Sequence, residues 1–259
     1  MKLFNKRFRK IMSRLAILMI LGLTALIVLI LQPQLMFGKQ MDYRTVSIYA
    51  NEDITAEIEP ILDSAISLIA QSELYDPDYH FDVFLAHNTT YNVLDSRLMG
   101  SWAAARAIDN NITIKVKTDV RKRLAILEGN QLELTYVIAH EMIHCLQNHV
   151  FGKWAFNPLN HPPMWKMEGY PEYIGRARFA SMDSSELREE VAFYLQHRPS
   201  HELDLLRLDD EHLTPNIYFK GKLMVEFLIE IKGLTYAEIL DDERTEQEVW
   251  KDMMNWCHR

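Results

Sequence analysis

The chain has 259 residues, 48% of them hydrophobic and 25% charged, with a net charge of −8. That is an ordinary globular composition, long enough for one domain with a good core and an appendage. The charge is split: residues 1–41 carry Lys2, Lys6, Arg7, Arg9, Lys10, Arg14 and Lys39 and no acid, whereas the rest sets 21 basic against 36 acidic residues, a balance of −15 that argues against nucleic acid as a partner.

The N-terminus explains the split. Residues 1–14 are a basic segment, and residues 15–31, LAILMILGLTALIVLIL, hold no charge. As a helix rising about 1.5 Å per residue this run nearly spans a bilayer, and Gln32 to Phe37 extend it into the interface. The predicted membrane segment is therefore 15–37. Six basic residues precede it, so the expectation is a single-pass membrane protein with a cytoplasmic N-terminus and an extracytoplasmic body. A cleaved signal peptide is the rival, but QPQLMFGKQ offers only Gly38 as a small residue near a cleavage site.

Residues 38–44 read as a short polar tether, and 45–259 as the body. RTVSIYA (44–50) reads as a strand. A helix follows whose Ile58, Ile61, Leu62, Ala65, Ile66 and Ile69 share a face, with Pro60 tolerated in the first turn. FDVFLA (81–86) reads as a buried strand, and ITIKVK (112–117), alternating apolar residues with lysines, as an edge strand. After Pro162-Pro163 the chain reads almost wholly helical, with Gly233 as a C-cap and capping boxes at Thr235–Glu238 and Thr245–Glu248. Mixed strands and helices followed by helices predict an α+β fold. Cys145 and Cys257 define no disulfide framework. Asn88 and Asn111 sit in glycosylation sequons.

The chemistry lies in TYVIAHEMIHCLQNH, residues 135–149. On a helix, His140 and His144 stand about 40° apart and aim their imidazoles at one point, half of a tetrahedral zinc shell. Glu141, about 100° around from His140, can act as general base on a zinc-bound water. Leu134, Val137, Ile138, Ile143 and Leu146 are expected to bury the helix. The pattern arises by chance often enough that a third ligand must decide it. A Gly–His continuation is excluded, because Gln147 and Val150 occupy those positions. His149 points away and reads as a surface histidine, and Cys145 as a small buried hydrophobe.

Downstream, Trp165-Lys166-Met167-Glu168-Gly169-Tyr170-Pro171-Glu172-Tyr173 resembles the segment by which gluzincins, the thermolysin- and aminopeptidase-like zinc peptidases, supply a glutamate from a second helix. The resemblance covers about 40 residues, and Pro171 departs from it where the family has a small residue. It implies a zincin-like sheet with an active-site helix, zinc held by His140, His144 and Glu168 in preference to Glu172 or His161, and Glu141 as base. Glu172 would hold a zinc-ligating histidine by its other ring nitrogen. It also implies a peptide or protein substrate added as a strand along the edge formed by ITIKVK and the stretch before it, and offers Tyr218 as an oxyanion donor. His201 and His212 are weaker candidates for that role and read better as structural. The expected function is a membrane-anchored zinc metallopeptidase. The alternatives are a non-catalytic binding module of the same fold and a zinc hydrolase acting on another bond.

Overall fold

A computed structural model describes residues 2–100, 103–152, 155–156, 161–176, 184–201, 204–208 and 213–259. Helix α1 (Lys2–Leu31) is one continuous rod whose stretch Phe8–Leu31 is long and apolar enough to cross a membrane, as a signal sequence near an N-terminus also would be. From Phe8 on, most of its apolar side chains lie in the open. The helix gives way to a 3₁₀ turn, Pro33–Met36, and then directly to a sheet.

The supposed tether is itself a strand. β1 (Lys39–Tyr43) pairs antiparallel with β2 (Val46–Ala50), Lys39 opposite Ala50. It reads as polar because it is an outer strand: Lys39 and Gln40 face water, while Met41 and Tyr43 pack on the core. Helix α2 (Glu59–Ile69) carries Pro60 in its first turn and buries Ile61, Leu62, Ala65 and Ile69, as its periodicity requires. β3 (Phe81–Leu85) runs parallel to β2 at the centre of the sheet. Helix α3 (Thr90–Met99) is capped by the Thr89 hydroxyl.

β4 (Ala105–Ile108) and β5 (Asn111–Ile114) form an antiparallel hairpin, and the sheet order is β1-β2-β3-β5-β4. This corrects the expected edge: β5 lies between β3 and β4, and β4 is the free strand. Thr113 and Lys115 are polar yet buried, because α3 covers that face. Lys115 Nζ donates to Gly100 O at 2.5 Å and pairs with Asp95 at 3.3 Å. Asn111 is buried too, so its sequon lies within the fold.

A second sheet, β6 (Lys117–Asp119), β7 (Leu124–Leu127) and β8 (Asn130–Glu133), is antiparallel throughout. Glu128 and Gly129, both at positive φ, make its two-residue β7–β8 turn. β8 leads straight into helix α4 (Leu134–Phe151). The C-terminal half is mostly helical: α5 (Met164–Met167), α6 (Gly169–Gly175), α7 (Ser184–His197), a small hairpin of β9 (Leu205–Arg207) and β10 (Leu213–Pro215), α8 (Asn216–Glu226) running into a π-helical turn, α9 (Tyr236–Asp241) and α10 (Glu246–Cys257). Both predicted capping boxes are present, and Gly233 at φ +70° follows the turn as expected.

The sheet has two unlike faces. Val46, Ile48, Phe81, Val83, Ile112 and Ile114 join the main core with α2 and α4. On the other face Phe84 stacks with Tyr49 and meets Phe37 and Tyr91. Across the core, α6 crosses α8 so closely that the two backbones touch at Gly169 and Gly221. A Cβ on Gly169 would sit 2.6 Å from Gly221 C and O, and one on Gly221 would sit 2.9 Å from Trp165 O. Gly169→Ala and Gly221→Ala are each expected to destabilise the protein by roughly 2–3 kcal/mol, since rigid backbone must give way. A fall in the thermal midpoint of the purified full-length chain is the measurement, and an unchanged midpoint refutes the close crossing.

Candidate metal centre

α4 is buried on nearly all sides, with Leu134, Val137, Ile138, Ile143, Cys145 and Leu146 all in the core. Cys145 is therefore a packed thiol, pushed well up by burial, and both cysteines are free. His140 and His144 leave this helix on the side facing α5 and α6. Glu168 stands at the break between those two short helices.

The three side chains converge. His140 Nε2 and His144 Nε2 are 3.2 Å apart, and each is 3.2 Å from Glu168 Oε2. An equilateral triangle of that size is close to one face of a tetrahedron whose corners lie about 2.0 Å from a central ion, where the edge is about 3.3 Å. Among the described residues this is the one group of three or more His, Cys, Asp or Glu side chains arranged to hold a metal ion. His161 is exposed, with its Nδ1 on Pro162 O, and takes no part. His149 packs at the surface on Tyr79 and Asp76. His201 is exposed, and His212 lies outside the described residues.

The protons on the two rings can be assigned from their neighbours. Gln147, one turn beyond His144, donates from Nε2 to Met167 O at 3.1 Å and to the Tyr236 hydroxyl at 2.7 Å. A carbonyl only accepts, so the amide nitrogen must face Met167 and Oε1 must face His144 Nδ1, at 2.8 Å. Nδ1 therefore carries the proton, and Nε2 turns a lone pair toward the other two donor atoms. Met167 O is free for this role because Pro171, four residues on, has no N–H to give it. Pro171 thus leaves a carbonyl that Gln147 occupies.

His140 is held from the other side by Glu172, whose Oε2 lies 3.6 Å from Nδ1. This is ion-pair range, slightly long for a hydrogen bond, and Nδ1 has no other partner. Glu172 is fully buried and held by Arg176, the Tyr136 hydroxyl and Thr214 Oγ1, the last at 2.6 Å. Burial works against its charge, but Arg176 above all, with His140 and Thr214, holds its carboxyl down to about 2. Burial likewise opposes the charge on Glu168, and His144 and His140 hold it well below the usual carboxylate range. Burial would lower His140, yet Glu168 and Glu172 hold it up to about 10. Both carboxylates thus stay charged beside the imidazoles and favour positive charge on them.

Glu141 is buried beside the triad, and burial raises its carboxyl despite the nearby imidazoles. Tyr218, from the first turn of α8, lays its ring parallel to His140 with centroids 5.8 Å apart. Burial pushes its phenol well up, so it remains a donor. Sequence reasoning missed Gln147 as a partner of His144, although the three-residue spacing on a helix was a usable signal. It also missed Thr214 and Tyr136 behind Glu172, for which no local signal exists.

No protein-family model matches the chain, and no curated protein matches it either. The geometry stands by itself. Gln147→Leu is expected to lower metal affinity about 10- to 100-fold by releasing the His144 ring. Competition against a calibrated chelator measures this, and an unchanged affinity refutes the role given to Gln147.

Proposed function

We propose that the chain is a single-pass, membrane-anchored zinc hydrolase of gluzincin type with a zincin-like fold, acting on peptide bonds. The N-terminus lies in the cytoplasm and the body outside. The observation that carries this reading is the convergence of His140 Nε2, His144 Nε2 and Glu168 Oε2. Two imidazoles and one carboxylate are a donor set suited to catalytic zinc. The fold reading is supported by the mixed sheet with an antiparallel edge strand packed beside α4, and by a third donor arriving from a second helix.

A bound zinc ion would lower the pKa of its water to about 7 and polarise a substrate carbonyl. The chain's own residues do the rest. Glu141, raised by burial, takes the proton of the attacking water at its carboxylate and returns it to the leaving amine. Tyr218 donates its phenolic proton in a hydrogen bond to the oxygen on which negative charge develops. Glu172 and Gln147 keep the two imidazoles turned. The free edge of β4 accepts an extended peptide by main-chain hydrogen bonding.

Full-length protein purified in mild detergent should contain about one zinc per chain, and Glu141→Gln should keep the zinc while losing hydrolysis by at least about 100-fold. Metal analysis and a peptide-library cleavage assay read the two outcomes. Absence of zinc, or full activity in Glu141→Gln, overturns the proposal. Zinc without peptide cleavage by the parent chain favours a binding module or another scissile bond.

A further inference from the structure

We infer that α3 and the 3₁₀ turn Pro33–Met36 form a second membrane-contact surface, by which the body docks on the bilayer that α1 crosses. The inference rests on reading α1 as a membrane span.

There is no slack between α1 and the body. Gln32 N–H continues the helix by donating to Val28 O at 2.8 Å, and Asn111 Nδ2 at the start of β5 donates to Leu31 O at 3.3 Å. Pro33 is buried, and the Phe37 ring is wedged against Phe84 and Tyr91, with centroids 5.2 and 5.9 Å away. Two residues after Phe37 the chain is already in β1. Tyr91 belongs to the first turn of α3. The helix leaving the bilayer is thus held against α3 by ring contacts, and α3 must sit where α1 emerges.

The exposed surface there is apolar. Among the described residues outside α1, seven large hydrophobic side chains lie in the open, and four of them, Leu35, Val93, Leu98 and Met99, are on this turn and this helix. Scattered single residues of that kind need no explanation, but a concentration beside a membrane exit does. The charge agrees. The body carries −15, yet the only acid in residues 83–108 is Asp95. That carboxylate is buried and neutralised by Arg106 at 2.6 Å and Lys115 at 3.3 Å. The one exposed charge on α3 is Arg97, a side chain that can lay its stem on apolar surface and reach the headgroups. A helix with exposed apolar side chains, one exposed arginine and no free acid, set beside the exit of α1, fits a lipid interface.

The test uses the full chain in phosphatidylcholine–phosphatidylglycerol vesicles, with Cys257→Ser as background and single cysteines introduced for an environment-sensitive dye. Val93→Cys and Leu98→Cys probe the surface, Leu21→Cys reports on α1, and Leu195→Cys on α7 is the exposed control. Docking predicts that labels at 93, 98 and 21 are quenched by doxyl lipids and at least about threefold less accessible to aqueous iodide than the label at 195. If position 21 is quenched by lipid but 93 and 98 stay open to iodide, the docking inference is wrong and the anchor stands. If 93 and 98 are shielded from iodide yet untouched by lipid quenchers, a protein surface such as a second copy covers them, which also overturns it. If position 21 is not quenched by lipid, the anchor reading falls, and docking with it.

Discussion

Two imidazole lone pairs and a carboxylate oxygen set 3.2 Å from one another repel unless positive charge lies among them, and much of the body serves to hold them there. α4 cannot turn, because it is buried between the sheet and α2 on one side and α6 on the other. Glu168 cannot withdraw, because the next residue, Gly169, lies against the backbone of α8. Glu172 cannot leave His140 without stranding Arg176 and Thr214 in the interior. A site prepared in this way needs little rearrangement when an ion arrives.

The break between α5 and α6 shows how a local irregularity is reused. Pro171 removes one helical hydrogen bond, and the carbonyl it leaves on Met167 is taken up by Gln147. The same amide then orients His144, and the Tyr236 hydroxyl completes it by bonding both Gln147 and Lys166 O. A buried network of this kind specifies one arrangement because every polar atom in it has a partner of the right sense. The helix break and the histidine tautomer are parts of one device.

The turn that follows α1 and the candidate metal site lie on opposite faces of the five-stranded sheet. α2 and α4 cover one face, while α3, the turn Pro33–Met36 and the aromatic group around Phe84 cover the other. The sheet therefore separates the end of the apolar N-terminal helix from the candidate metal centre. β4, an open edge, is tied to the first of these faces through its packing on α4 and to the second through Arg106 and Asp95.

Local pattern was enough for whatever depends on neighbours in the chain. The apolar N-terminal helix, the buried face of α2, both capping boxes, the run of β3 and the two histidines on one face of α4 all follow from periodicity and cap chemistry within a few residues. β1 escaped because an outer strand is half polar and its alternation over five residues looks like a tether. β6, β7 and β8 escaped because strands of three or four residues carry too short a period to detect. The place of β5 was misread for a different reason: whether Lys115 faces water or a buried carboxylate depends on α3 and β4, which its own sequence does not describe. The same limit governs the site. That His140 and His144 point one way is a property of the α-helix, whereas the arrival of Glu168 between them, Thr214 behind Glu172 and Gln147 on Met167 depends on packing across 20 to 42 residues of chain. Those contacts exist only once the core has closed.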